Sequence, residues 1–159
     1  MILKRQEKNG KIKAMYSSST VCASIFDPTT KDLTVIFNNG GQYKYSSVEM
    51  TDYTRFETAD SNGSIFNTYI KKKYPNFEKL DKLGEAEIKN ILNEIDELKT
   101  AEDKASLEVK AKVMMTEMAG MLTTYVSTGS VNLAAFAKLQ TKMADYDKVV
   151  NPQPESAEA

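Results

Sequence analysis

At 159 residues, 41% hydrophobic and 27% charged, with 7 Gly and 4 Pro, the chain has the make-up of a folded protein with one core or two small ones, not of a disordered or fibrous chain. It holds no histidine and a single cysteine, Cys22, which excludes Ser-His-acid and Cys-His catalysis, the common zinc sites and an intramolecular disulfide. Net charge is −1, yet residues 1–80 hold 12 basic and 8 acidic side chains while residues 81–159 hold 9 and 14, so two regions with different surfaces are expected.

Residues 1–13 carry Lys4, Arg5, Lys8, Lys11 and Lys13 around Asn9-Gly10, a combination that suits a basic mobile arm or a short edge hairpin. Val21 to Phe26 reads as a strand, Asp27 to Asp32 as a turn built on Pro28, and Leu33 to Phe37 as a second strand. Asn38-Asn39-Gly40-Gly41 tolerates positive φ and leads into a third strand, Gln42 to Tyr45. Alternation places Leu33, Val35 and Phe37 on one face with Tyr43 and Tyr45, and that apolar face needs a helix over it. Helical spacing follows at 48–59 (Val48, Met50, Tyr53, Phe56, Ala59) and at 64–73 (Ile65, Phe66, Tyr69, Ile70), with Ser64 as the expected N-cap and Pro75 as the stop.

Beyond the 81–84 connection the pattern becomes longer helices. One apolar stripe runs through Ile88, Ile91, Leu92, Ile95 and Leu98, and another through Ala111, Met114, Met115, Met118, Leu122 and Tyr125. Ser127-Thr128-Gly129-Ser130 breaks the chain before a last helix with Leu133, Phe136, Leu139, Met143 and Tyr146. The expected organisation is a basic arm at 1–13, a β-rich module at 14–79, a helical region at 80–150 and a flexible tail at 151–159. The expected fold is α+β: a three-stranded antiparallel β-meander with one or two covering helices, followed by a C-terminal helical hairpin or small bundle.

Between residues 16 and 74 the order of elements, with Ser17-Ser18-Ser19, Leu33, Phe37, Asn39-Gly40-Gly41, Tyr43-Lys44-Tyr45, Val48, Ala59, Ser61, Gly63, Phe66-Asn67 and Ile70, resembles the KTSC domain. That family occurs at the C-terminus of some lysyl-tRNA synthetases and alone in many bacterial and phage proteins. The resemblance implies a small module for which RNA binding has been suggested. Stand-alone chains of this type look like phage-encoded accessory proteins, which implies an adaptor working in the bacterial cytoplasm.

Three residue groups are candidates for binding. Lys44, Lys71, Lys72 and Lys73 with Tyr43, Tyr45 and Tyr74 have the chemistry to meet phosphates and stack bases of single-stranded nucleic acid. Against this, Tyr43 and Tyr45 fall on core-facing positions, and lysines at a helix C-terminus are favourable there through the helix dipole alone. Met114, Met115, Met118 and Met121 have the flexible thioethers of adaptable protein-binding grooves, and equally the spacing of plain helix packing. The loop Ser61-Asn62-Gly63-Ser64 stands where a helix start binds anions, although capping alone accounts for it.

No carboxylate pair, such as Asp27 with Asp60 or Glu57, has a spacing that argues for acid–base chemistry. No apolar run reaches the roughly 20 residues of a membrane helix, and Met1 to Lys8 lacks a signal peptide's apolar stretch. The expected protein is therefore a cytoplasmic, non-catalytic binding or adaptor protein without cofactor or metal. Its partner is a protein or a second copy of itself, and the alternative is an RNA- or DNA-binding module.

Overall fold

The computed structural model describes residues 1–152, and the residues from 153 onward in the expected tail lie outside the described residues. Two units divide the chain, Met1–Thr100 and Ala101–Ala159. The first is an antiparallel meander of six strands in sequence order, β1 (Ile2–Lys8), β2 (Lys11–Tyr16), β3 (Val21–Asp27), β4 (Asp32–Phe37), β5 (Gln42–Tyr45) and β6 (Phe77–Leu80). Helices α1 (Met50–Glu57), α2 (Asn62–Ile65) and α3 (Lys71–Lys73) lie between β5 and β6, with a π-helical turn at Phe66–Ile70 joining α2 to α3.

The α+β class and the antiparallel sheet followed by helices hold, but the sheet has six strands rather than three. Of the two readings of the basic segment, the edge hairpin holds and the arm does not: β1 pairs with β2 through a tight turn in which Asn9 and Gly10 take φ of 54° and 73°. That is the positive-φ geometry of a type I′ hairpin, open to glycine and tolerated by asparagine. On β2 the side chains of Ile12, Ala14 and Tyr16 alternate inward and are buried. Strand β1 is mostly polar, so its place at the sheet edge is held by backbone pairing rather than by an apolar pattern.

One sheet face carries Ile12, Tyr16, Val21, Phe26, Leu33, Val35 and Tyr45 against Val48, Tyr53, Phe56, Phe66 and Ile70. Phe26 stacks on Tyr53 with centroids 4.4 Å apart, and Tyr16 meets Phe56 edge-on at 5.5 Å. The opposite face is covered as well: Cys22, Ala23 and Ile36 pack with Ile95, supported by Ile88, Ile91 and Leu92 at the start of α4 (Glu85–Thr128). Burial on both faces is why Val21, Cys22, Ala23 and Ser24 are all buried in succession rather than alternately.

Residues 85–100 therefore group with the sheet, not with a separate helical region beginning at 80. Both predicted stripes ride on a single 44-residue helix, because Lys99 to Ala105 contains neither Gly nor Pro and is rich in helix formers. In the second unit the end of α4 and α5 (Leu133–Val150) form the expected hairpin. Gly129, at φ 70°, closes α4 by donating its N–H to the Tyr125 carbonyl at 2.7 Å, and the Asn132 side chain caps α5 by accepting from the Ala135 N–H at 3.1 Å.

Candidate functional site

The helix spanning α2, the π turn and α3 starts one turn earlier than expected. Ser61, not Ser64, is the N-cap, its Oγ accepting the Ser64 N–H at 3.4 Å. Asn62 is fully buried and donates through Nδ2 to the Phe56 carbonyl at 2.8 Å, closing the α1–α2 corner. A Cβ on Gly63 would sit 3.1 Å from the Thr20 side chain, so the loop is held tightly against the β2–β3 connection. The Ser61 to Ser64 segment thus spends its polar groups on building the corner.

Of the lysines and tyrosines predicted for nucleic-acid contact, several are committed elsewhere. Lys44 pairs with Asp32 at 3.0 Å. Asp52, buried in the first turn of α1, accepts hydrogen bonds from Tyr69 Oη at 2.8 Å, from Lys73 Nζ and from Tyr74 Oη. Burial alone would raise the Asp52 carboxyl, but those hydrogen bonds, with Lys73 foremost, outweigh it and hold the pKa below the ordinary aspartate value. Tyr74 Oη also accepts the Glu49 N–H at 3.1 Å, capping α1. Asp52 is thus the acceptor hub that ties α1 to the π turn and α3.

Tyr43, Tyr45 and Lys71 instead converge on a groove of about 560 Å³ beside β6. Strand β6 builds its wall: Phe77 pairs with Tyr45 and Lys79 with Tyr43, so these four side chains share a face, while Glu78 pairs with Lys44 and points away. Five rings form the floor in successive contact, Phe66 with Phe37 at 5.1 Å, Phe37 with Tyr43 and Tyr43 with Phe77 at 5.5 Å, and Tyr45 with both Phe66 and Phe77 at 5.7 Å. Tyr45 is buried, Phe77 half-exposed. Lys71, Lys79 and Lys82 edge the groove, and none of them makes an ion pair among the described residues.

Phe77, Lys79 and Lys82 escape the sequence reading. Their signal is the short alternation Phe77-Glu78-Lys79-Leu80 after Pro75, which reads as a helix stop followed by a connection. Lys72 is exposed and does not line the groove.

In the second unit Met114 and Met121 are half-buried, while Met115 and Met118 are exposed. Met118 and Met121 line a groove of about 620 Å³ with Leu122, Tyr125, Leu133 and Phe136. Its walls carry no charged side chain.

The opposite sheet face holds Cys22, whose Sγ donates to the Ile36 carbonyl at 3.4 Å; burial pushes the thiol up to about 11. It is a small packed side chain, not a nucleophile at neutral pH. Among the described residues no group of three or more Cys, Asp or Glu could hold a metal ion, and no helix is long and apolar enough to cross a membrane.

The meander, the α1 and α2 corner and the Tyr-x-Tyr strand lie together within one stretch of the first unit. Residues 17–74 match the KTSC domain family model. A solved KTSC domain protein from Yersinia pestis shares 28% identity, with a TM-score of 0.40, over 49% of this chain and 97% of its own. Comparison with curated proteins gives no match. Strands β1, β2 and β6 and all of α4 and α5 lie outside the KTSC segment, so the groove combines KTSC residues from β4, β5 and the π turn with a strand that the family match does not cover.

Proposed function

We propose that the chain is a non-catalytic binding protein that acts through protein–protein contacts, with its helical hairpin pairing with a second copy and thereby presenting two KTSC-bearing modules. The observation that carries this is the apolar surface of the hairpin. Within 101–152 Leu139 alone is buried among the described residues, while Leu122 is 60% and Leu133 78% exposed.

Seven exposed apolar side chains line the groove described above: Met118, Leu122, Tyr125, Val131, Leu133, Phe136 and Met143. Side chains of this size at half exposure leave about 80–100 Å² each, so together about 600 Å², the upper end of the apolar patches that monomers carry. A standard interface needs about 800 Å² per partner, which this patch and its polar rim supply. Two helices bury no continuous core, whereas two such hairpins face to face make a four-helix bundle. The uncharged lining suits self-pairing, because a two-fold contact sets the same patch against itself and any like charge there would be repelled.

Light scattering coupled to size exclusion tests this at about 50 µM protein, well above the micromolar Kd expected of such an interface. The expected mass is that of a dimer, reduced to a monomer by Leu122→Glu with Leu133→Glu while circular dichroism is unchanged. A monomeric mass for the unaltered chain sinks the proposal. A phage origin and work in the bacterial cytoplasm belong to the same reading and rest on the family resemblance.

A further inference from the structure

The groove beside β6 is independent of the hairpin, and its chemistry is specific. It has an aromatic floor ending in the half-exposed Phe77, and its rim carries three lysines without acidic partners. Elsewhere in this unit Lys4, Lys31, Lys44 and Lys73 are paired, with Glu94, Glu49, Asp32 and Asp52, whereas Lys8, Lys13 and Lys72 make no ion pair among the described residues but stand away from the groove. Three lysines without acidic partners thus stand together at the edge of the open rings. The volume of about 560 Å³ falls within the roughly 300–1,000 Å³ of small-ligand sites.

A second feature converges there. The helix departs from α geometry at the π turn Phe66–Ile70, and Phe66, Asn67 and Lys71, within that turn and just after it, line the groove. Such turns occur often at functional sites.

We propose that this groove binds a nucleotide unit of single-stranded nucleic acid, a base stacking on Phe77 and Tyr43 and the flanking phosphates lying along Lys71, Lys79 and Lys82. Planar rings of every base stack on aromatic side chains, and ammonium groups act as separate point charges along a phosphodiester chain. A phosphorylated tyrosine has the same two parts, but gripping one phosphate favours a forked guanidinium, and no arginine lines the groove. A free nucleotide shares the recognised chemistry and is the other source of the ligand.

The test uses the full chain and a fluorescently labelled single-stranded RNA of about ten nucleotides, within the roughly 4–16 that one small module spans. Anisotropy is read at several salt concentrations. The pair Lys79→Glu and Lys82→Glu should weaken binding tenfold or more and flatten the salt dependence, since each phosphate contact adds about 0.7 to its slope. Phe77→Ala should cost about fivefold to a hundredfold with the salt slope unchanged, because it removes stacking and no charge. The pair Lys8→Glu and Lys13→Glu makes the same charge change on β1 and β2 and should cost less than twofold.

Displacement of the RNA by adenosine or uridine monophosphate at comparable concentration identifies a free nucleotide as the ligand. Binding of the strand alone identifies nucleic acid. Failure of the unaltered chain to bind either one, or an equal loss with the two lysine pairs, overturns the proposal. The hairpin's assembly is read separately by mass and does not enter this result.

Discussion

Replacing Asp52 by alanine isolates the hub that joins α1 to the π turn and α3. The substitution removes a buried carboxylate that accepts from two tyrosine hydroxyls and from Lys73, whose head stands half in water. Each hydroxyl bond to a charged acceptor contributes about 1.5 kcal/mol, at the low end of its class because both tyrosines are partly exposed and rehydrate. Alanine's better helix propensity gains about 0.5 kcal/mol, and losing a negative charge in the first turn of α1 costs about the same. The expected loss is about 3 kcal/mol at neutral pH. Urea unfolding followed by near-ultraviolet circular dichroism reads it, since the aromatic clusters lie in the sheet unit.

The pH dependence sharpens the test. The folded-state pKa of Asp52 is lowered, so its contribution is fully present above the unfolded value of about 3.9 and is lost as pH falls through the folded value. The stability difference between the two proteins should stay constant between about pH 5 and 7 and shrink below about pH 4. A difference under about 0.5 kcal/mol at neutral pH, or one that persists unchanged into acid, would refute the assignment of Asp52 as a charged hub.

Two further outcomes are expected besides those for the hairpin and the groove. The Cys22 thiol, fully buried and pushed up to about 11, should react with an aromatic disulfide reagent at pH 8 only after unfolding in urea; prompt reaction in the native protein would contradict the covered second face of the sheet. Gly40→Ala should lower stability by about 1–2 kcal/mol, because Gly40 takes φ of 84° and an added Cβ would lie 3.2 Å from the Leu83 carbonyl oxygen, with calorimetry as the readout.

The KTSC segment was legible because its signals are local. Asp27 accepts the Thr29 N–H at 2.9 Å in the predicted turn, Gly40 takes the positive φ that its neighbours' sequence implies, and Leu33 and Val35 face Tyr45 and Tyr43 as alternation requires. The helix break at Ser127 to Ser130, closed by Gly129 with its positive φ, was equally local. What escaped depends on pairing at a distance. Strand β1 has no apolar alternation to decide between the arm and the edge hairpin that Asn9-Gly10 allows, and Phe77 to Leu80 is too short to be told from a connection until it is seen beside β5. Whether residues 88–95 cover the sheet or join a bundle is undecided by a stripe that suits both.

The candidate site shows the same division. The amino-acid sequence by itself determined which residue types are present: lysines near aromatic rings, methionines at helical spacing, and no imidazole. Tertiary structure alone decided which lysines remain available, since Lys44 and Lys73 are matched by carboxylates brought close by the fold, while Lys79 and Lys82 arrive beside Tyr43 and Phe77 through strand pairing. The physical reason is range. Turn chemistry and helix propensity act within a few residues, whereas charge compensation and aromatic packing depend on distances that only the completed sheet sets.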